Sequence, residues 1–417
     1  MILVIFTQSY PYDFAAEYTF IGPEIPHLAE SFERIILVPR VCKGVRLELP
    51  RGVETDDRYA ELLRRNSRPD RMIRLALRSH AILQEIREQP SILLYPSKIL
   101  KLILFSGRAE LTRQWIKGLI EAQQIDPDDC IFYSYWLDHA PAGLAMVKEE
   151  FPGVRLISRA HGYDIYEEYY YPYYWPYRQK TLEGLNKLFF ASEAARNYYT
   201  ERYPGFVSKY ETAHLGIQDP GLLSDPSGDG IFRIVSCSYI VPVKQLDLFV
   251  DGLAAAARLR PEQTFEWIHF GDGPQRKSLE RKMARALPSN VKSHLAGYTP
   301  NSEIIRYYSG QPCDVFVNVS KSEGGAPVSI QEAISCGIPV VATSVGGNCE
   351  LVSAKNGFLL SPHPAPEEIA AALLNIWDHP GASAEMRRAS RRVWQENYNA
   401  EVNFRSFAQQ LKTMGTG

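Results

Sequence analysis

Residues 314–350 read DVFVNVSKSEGGAPVSIQEAISCGIPVVATSVGGNCE. The run Val315–Val319 is apolar and rich in β-branched residues, which predicts a strand buried on both faces. The turn Glu323-Gly324-Gly325-Ala326 follows. Pro327 suits the first position of a helix, where its missing N–H would have had no partner. Val328–Ser335 has helical spacing, Gly337 is a helix stop, and Val340–Ala342 reads as the next strand. In such a strand–turn–helix–strand unit the start of the helix opens at the carboxyl edge of a parallel sheet. Its free N–H groups and dipole favour an anion there, and two glycines let a phosphate approach the backbone. The flanking carboxylates Glu323 and Glu332 would repel that phosphate. They suit neutral hydroxyls on either side of it, a sugar and a ribose, at about 1.5–3 kcal/mol per charge-assisted bond.

The same alternation continues on both sides of this segment. Phe232–Ser236, Phe265–Phe270, Val291–Leu295 and Phe358–Leu360 read as further strands. Gln245–Arg258, Gln275–Ala286, Asn301–Tyr308, Pro366–Trp377 and a long Ala384–Met414 read as helices. In the N-terminal half, Ile2–Phe6, Arg34–Val38, Ile131–Tyr135, Arg155–Ser158 and Lys187–Ala191 are strand-like, while Glu17–Glu30 and Ala140–Glu150 are helical. Between the halves, QDPGLLSDPSGDG is dense in Pro, Gly, Asp and Ser and reads as a linker. The predicted fold class is α/β: two Rossmann-like, doubly wound domains facing across a cleft, with a long C-terminal helix. The expected divisions are an N-terminal acceptor-binding domain at 1–216, a linker at 217–230, a C-terminal domain at 231–395, and a closing helix at 396–417 that packs back on the N-terminal domain. Ligands of such sheets bind beyond the carboxyl ends of the strands, so the cleft is the expected site.

Composition narrows the function. The 417 residues carry 46 basic and 48 acidic side chains, a net charge of −2, which argues against nucleic acid as the partner. The six cysteines form no CxxC pair, and none has a His at zinc-ligand spacing, as expected of reduced thiols in a cytoplasmic protein. The apolar start Ile-Leu-Val-Ile-Phe lacks a basic flank and a cleavage site, so it reads as a strand and not a leader. No apolar run is long enough to span a bilayer.

With these residues in view, the 314–350 segment resembles the signature of glycosyltransferase family 4, the retaining nucleotide-sugar transferases with the GT-B fold. Glu332-Ala333, Gly337-Ile338-Pro339-Val340-Val341-Ala342-Thr343, Gly346-Gly347 and Glu350 match it. The spacing from Glu323 to Glu332 encloses eight residues where the family has seven, leaving the Glu323 side chain and the Gly324 backbone as alternatives for the first position. Ser238–Leu248 resembles the family's Arg-x4-Lys stretch, with Lys244 in place and Tyr239 where Arg is usual. Phe270–Pro274 and Leu295–Tyr298 are similar to two further turns, the second of which holds the base. Ser158–Asp164 contains the family's HG.D element, on which His161 would bond the transferred sugar.

The resemblance implies transfer of a hexose, with retention, from a nucleotide-diphosphate sugar, UDP favoured, to a saccharide acceptor in exopolysaccharide or cell-surface glycan assembly. The implied catalytic residues are His161, Lys244 and Glu323. The implied donor-binding residues are Tyr239, Tyr298, Gly324, Gly325, Ala326, Pro327, Val328 and Glu332. No protein nucleophile is required, because the departing diphosphate oxygen takes the acceptor proton. No Asp-x-Asp pair calls for a metal, so neither metal nor cofactor is expected. The alternative is a non-catalytic relative that binds nucleotide-sugar or glycan, motivated by Tyr239 and the lengthened turn. A sugar-nucleotide epimerase fits the paired glutamates and the basic N-terminal half less well.

Two segments lie outside this signature. Residues 64–118 hold twelve basic and four acidic residues, a surplus of eight. On a helix, Arg71, Arg74 and Arg78 would share one side, with Leu75, Ile82 and Ile86 as an adjacent apolar strip. That pattern suits an anionic membrane surface, hence a lipid-linked acceptor and a peripheral position on the inner face of the cell membrane. The run 163–177, YDIYEEYYYPYYWPY, suits stacking on sugars, a lipid interface or plain packing, and the sequence does not choose among them.

Overall fold

The computed structural model describes residues 1–14, 17–79, 81–122 and 124–415. Ala15 and Ala16 of the first loop, His80 of the basic segment, Gln123 and the last two residues lie outside the described residues, as does the Tyr169 side chain. The chain forms two compact units: Met1–Leu215 together with the chain from Phe404 onward, and Gly216–Asn403.

The first unit is built on a seven-stranded sheet, parallel throughout, in the order β3-β2-β1-β4-β5-β6-β7. The strands are β1 (Ile2–Thr7), β2 (Arg34–Pro39), β3 (Val53–Thr55), β4 (Cys130–Ser134), β5 (Arg155–Ala160), β6 (Lys187–Phe190) and β7 (Tyr210–Thr212). Every residue of β4 is buried, as a parallel strand covered by helices on both faces must be. Phe407, Ala408 and Leu411 of the helix Ala400–Gly415 close one face of this core, with Phe407 5.7 Å from the Tyr133 ring and 5.0 Å from that of Phe189. The second unit has a six-stranded parallel sheet in the order β10-β9-β8-β11-β12-β13. Its strands are β8 (Ile231–Cys237), β9 (Thr264–Phe270), β10 (Val291–Gly297), β11 (Val315–Asn318), β12 (Val340–Thr343) and β13 (Gly357–Leu360).

In each sheet the strand order reverses once, between β1 and β4 and between β8 and β11. The loops leaving the carboxyl ends of those two pairs diverge, which is where an open α/β sheet makes room for a ligand. The expected two-sheet architecture is therefore present, and it places two loop pairs at its switch points.

The structure differs from the sequence reading in four places. The edge strand β3 has only three residues and one of them is Glu54, too short a pattern to read. The helix expected over 17–30 is two, Glu17–Ile21 and Ile25–Ser31, because Pro23 disfavours helix at Gly22 and itself lacks an N–H. The helix expected over 384–414 is also two, Pro380–Asn397 and Ala400–Gly415. At that break Ile217 accepts from Ala400 N–H at 3.1 Å and donates to the Tyr398 carbonyl at 2.9 Å, a distant contact that local pattern cannot show. Residues 217–230 lie along the second unit through Ser224 N–H to Cys336, Cys313 N–H to Asp225 and Arg391 to Asp219.

The basic segment is the fourth. It forms Pro69–Arg78, Ala81–Glu88, a short 3-10 turn at Pro90–Leu94 and the 26-residue Pro96–Glu121. Leu75 is buried with Met72 against Leu111, whereas Ile82 and Ile86 sit half-buried on the following helix against another cluster. The apolar strip expected beside Arg71, Arg74 and Arg78 therefore faces the core and not solvent.

Candidate functional site

In the second unit the loop after β8 and the turn after β11 meet. Lys244 Nζ lies 2.6 Å from Glu323 Oε1, with both side chains largely buried. Asn318 Nδ2, at the end of β11, donates to the same oxygen at 3.2 Å. The backbone joins them as well, Lys321 N–H donating to the Val243 carbonyl at 2.7 Å. So the side chain that Lys244 reaches is Glu323, although the turn carries an extra residue. Gly324, Gly325 and Ala326 complete the turn, and Pro327 precedes the helix Val328–Ser335 with no side chain capping it. The first N–H groups of a helix have no partner within it, so this end presents free donors beside an ammonium group.

Two glycine pairs hold this arrangement. A Cβ on Gly346, which has φ +50°, would overlap the Glu323 carbonyl oxygen, and one on Gly347 would overlap Gly325 and Ala326. The second Gly-Gly pair therefore lies directly against the first turn. Gly271, at φ +130°, and Gly273 pack in the same way on Ser238 and Ile240, so the GDGP turn supports the loop that carries Lys244. Tyr239 and Tyr298, by contrast, are exposed and carry no ring contact among the described residues.

Glu332 is buried one face further along the helix, and Asn301 Nδ2 donates to it. Burial pushes its carboxyl up to about 7 against the pull of Asn301. The folded protein then holds a proton that the unfolded chain has lost between about pH 4.5 and 7, so stability falls as pH rises through that window. At about 1.4 kcal/mol per unit the cost above it is about 3 kcal/mol. Glu332→Gln is expected to melt with the wild type at pH 4.5 and several degrees above it at pH 8. Equal melting temperatures at both pH values contradict the buried charge.

In the first unit, His161 follows β5 and stands between two rings, 4.6 Å from the centroids of both Tyr135 and Trp136. Neither ring nitrogen has a hydrogen-bond partner among the described residues, and each has almost no exposed surface. Burial and the nearby Arg159 hold the imidazole well below its usual range, hence neutral. The turn is fixed by Asp164, whose carboxylate accepts from the N–H groups of His161 (2.9 Å), Gly162 (3.0 Å) and Leu137 (2.9 Å). Arg178 ties the same turn by donating to the carbonyls of Leu137 and Asp164.

One positioning group has no signal in the sequence. Glu17 is buried and accepts from the N–H groups of Gln8, Ser9 and Tyr10 and from Trp136 Nε1 at 2.6 Å. It shapes the loop after β1 and anchors one of the rings beside His161. Nothing local marks Glu17, which reads as an ordinary first-turn carboxylate. Asp164 is visible within the HGYD stretch, but its role as the acceptor that fixes the turn emerges only from the geometry.

Comparison with known proteins bears on the fold and on the second unit. Residues 232–379 match the family model described as glycosyl transferases group 1. Over 188 residues the chain is 26% identical to the amylovoran biosynthesis glycosyltransferase AmsK of Erwinia amylovora, covering 44% of this chain and 45% of that one. The chain thus spans under half the length of that curated relative. Among solved structures, Anabaena Alr3699/HepE in complex with UDP superposes with a TM-score of 0.64 at 18% identity, over 99% of both chains. The apo lipopolysaccharide outer core galactosyltransferase WaaB does so with a TM-score of 0.69 at 12% identity, over 99% of this chain and all of that one. The chain has the GT-B fold, and within it residues 232–379 are similar to the glycosyl transferases group 1 family.

Proposed function

We propose that the protein is a retaining glycosyltransferase of the family 4 type. It moves a hexose from a nucleotide-diphosphate sugar to a lipid-linked saccharide acceptor at the inner face of the cell membrane, in polysaccharide assembly. The observation that carries this reading is the Lys244–Glu323 pair beside an uncapped helix start at the β8/β11 switch point. An ammonium and a row of N–H donors suit a diphosphate, and an adjacent carboxylate suits a sugar hydroxyl. In the reaction, the bond from the anomeric carbon to the diphosphate oxygen breaks as the acceptor oxygen bonds the same face. The acceptor proton passes to the departing diphosphate. Lys244 and the N–H groups of Gly324, Gly325, Ala326 and Val328 stabilise the charge that grows there, the largest single contribution in sites of this kind. Glu323 holds a sugar hydroxyl, Glu332 with Asn301 receives the ribose, and His161, once the Tyr135 and Trp136 rings part to uncover a nitrogen, offers a neutral imidazole to a second sugar hydroxyl.

UDP-sugars are the first donors to test, since the Anabaena structure holds UDP. A thermal-shift screen of UDP- and GDP-sugars is expected to give one stabilising donor. Hydrolysis or transfer from that labelled donor, unchanged by EDTA and with the anomeric configuration kept by NMR, establishes the reaction. Binding without turnover under any acceptor establishes the non-catalytic alternative. His161→Phe keeps the ring stack but removes both nitrogens; turnover is expected to drop roughly 10²-fold with the melting temperature unchanged. Wild-type turnover in that variant removes His161 from the reaction.

A further inference from the structure

The basic segment resolves into two kinds of cation. Arg64 and Arg65 pair with Glu61, Arg68 with Asp70, Arg113 with Glu110 and Glu150, and Lys117 with Glu121 and Glu150. The surplus is therefore neutralised at both ends of the segment. Arg71, Arg74, Arg78, Arg87 and Arg108 are exposed without an ion pair among the described residues, and Lys98 and Lys101 lie over the rings of Tyr95 and Trp175. The uncompensated charge thus spans residues 71–108, between the paired ends.

The same stretch holds apolar side chains that the core does not use. Leu77 is 75% exposed, Leu94 74%, and Leu83, Leu93, Tyr95 and Leu100 are each more than half exposed. Three of these are consecutive, Leu93-Leu94-Tyr95, at the corner between the 3-10 turn and the helix Pro96–Glu121. The aromatic run packs on the two helices that flank this corner, in one cluster with Ile92. Tyr174 OH donates to Glu85 at 2.6 Å, Tyr177 OH bonds Ser106 at 2.6 Å, and Trp175 packs on Phe105. Half of the run is therefore core. Its tip is not, since Tyr170, Tyr171 and Tyr173 project to solvent, Tyr171 being 72% exposed.

An exposed leucine pair with Arg87 and Lys98 on either side of it in the chain, Arg74 and Arg78 on the helix packed against Pro96–Glu121, and exposed tyrosines on the neighbouring run is what an interface between water and acyl chains accommodates: leucines below, tyrosines at headgroup level, and cations against lipid phosphate. A partner protein would leave the cations facing an acidic surface of its own, whereas an anionic bilayer supplies both an apolar layer and a dense sheet of negative charge. We propose that Leu93, Leu94 and Tyr95, with Leu83 and the tip Tyr170–Tyr173, form a wedge that inserts into an anionic bilayer while Arg74, Arg78, Arg87 and Lys98 engage its headgroups. This rests on the membrane part of the proposed function and commits it to residues, none of which belongs to the donor site.

The test is flotation of the full chain with vesicles of phosphatidylcholine alone or with 30% phosphatidylglycerol as the probe. Wild type is expected to float only with the anionic vesicles. Leu93→Ser/Leu94→Ser and Tyr171→Ser/Tyr173→Ser are each expected to lower binding at least tenfold. Arg74→Glu/Arg78→Glu is expected to abolish it, with melting temperature and donor hydrolysis unchanged in all three. Floating of the leucine and tyrosine variants at the wild-type level overturns the wedge and leaves a purely electrostatic attachment. Failure of wild type to float overturns the membrane reading itself and leaves the transferase reading to the donor assay. A change of oligomeric state in the same variants, without an effect on flotation, assigns the surface to a second copy and overturns the proposal.

Discussion

Lys244→Ala is expected to lower kcat for transfer by about 10²–10³-fold while the protein remains folded, because donors aimed at a developing negative charge are worth that much in a site shielded from water. The size of the effect follows from the sequence around it. The family pattern has two cations at this position and the present chain has one, Tyr239 being an exposed ring where the other would stand. No second cation stands along the loop 238–244 itself, so removing Lys244 takes away the ammonium group that faces the turn. Stability is little at risk. The pair is not sealed in the core, and Glu323 keeps its bond from Asn318 when the ammonium is gone. The control is Lys244→Ala/Glu323→Gln. If the lysine served only to neutralise the glutamate, the double variant would recover turnover. If it serves the leaving group, the double variant stays far slower than Glu323→Gln alone, which reports the loss of the sugar contact by itself. Turnover within fivefold of wild type in Lys244→Ala would remove the central assignment.

Much of this site is legible in the amino-acid sequence because its parts are local. A strand, a glycine turn, a proline and a short helix lie within 22 residues, and each has a one-dimensional signature: β-branched burial, missing Cβ atoms, a missing N–H and a Gly stop. Their consequence, free N–H groups at the carboxyl edge of a parallel sheet, follows from geometry that every such unit shares. What pattern cannot reach is contact at long range. Lys244 and Glu323 are 79 residues apart, Glu332 and Asn301 are 31 apart, and Trp136 and Glu17 are 119 apart. The break at Tyr398 and Asn399 depends on Ile217, nearly two hundred positions earlier.

The basic segment defeats pattern in a different way. Its composition is amphipathic, but a helix of ten residues packed at one side has two candidate apolar faces. Only packing decides which one is used. Met72, Leu75 and Ala76 go to the core because the facing helix offers Leu111 and the bare backbone of Gly107, where Met72 sits in close contact. Leu77 is left outside, and Leu93, Leu94 and Tyr95 lie beyond the reach of a helical wheel through 71–86.

The largest effect on folding is expected at a residue that touches no ligand. Gly347→Ala places a methyl group onto the backbone of Gly325 and Ala326, which cannot yield as a side-chain end could. The turn is held on its other side by the Lys321–Val243 bond and by the Lys244–Glu323 pair, so moving it away from Gly347 strains both. Overpacking of this kind costs about 2–3 kcal/mol. In a unit of this size, that corresponds to a melting temperature lower by about 5–10 °C. Donor affinity should fall with it, at least tenfold, because the displaced atoms are the N–H groups proposed to hold the diphosphate. Gly228→Ala is the matched control: a Cβ there meets nothing within 4 Å. It is expected to leave both melting and donor binding unchanged. The two measurements separate the outcomes. Loss of stability with full donor affinity would show that the turn shifts without serving the donor, and loss of neither would show that the Gly346-Gly347 pair does not brace it.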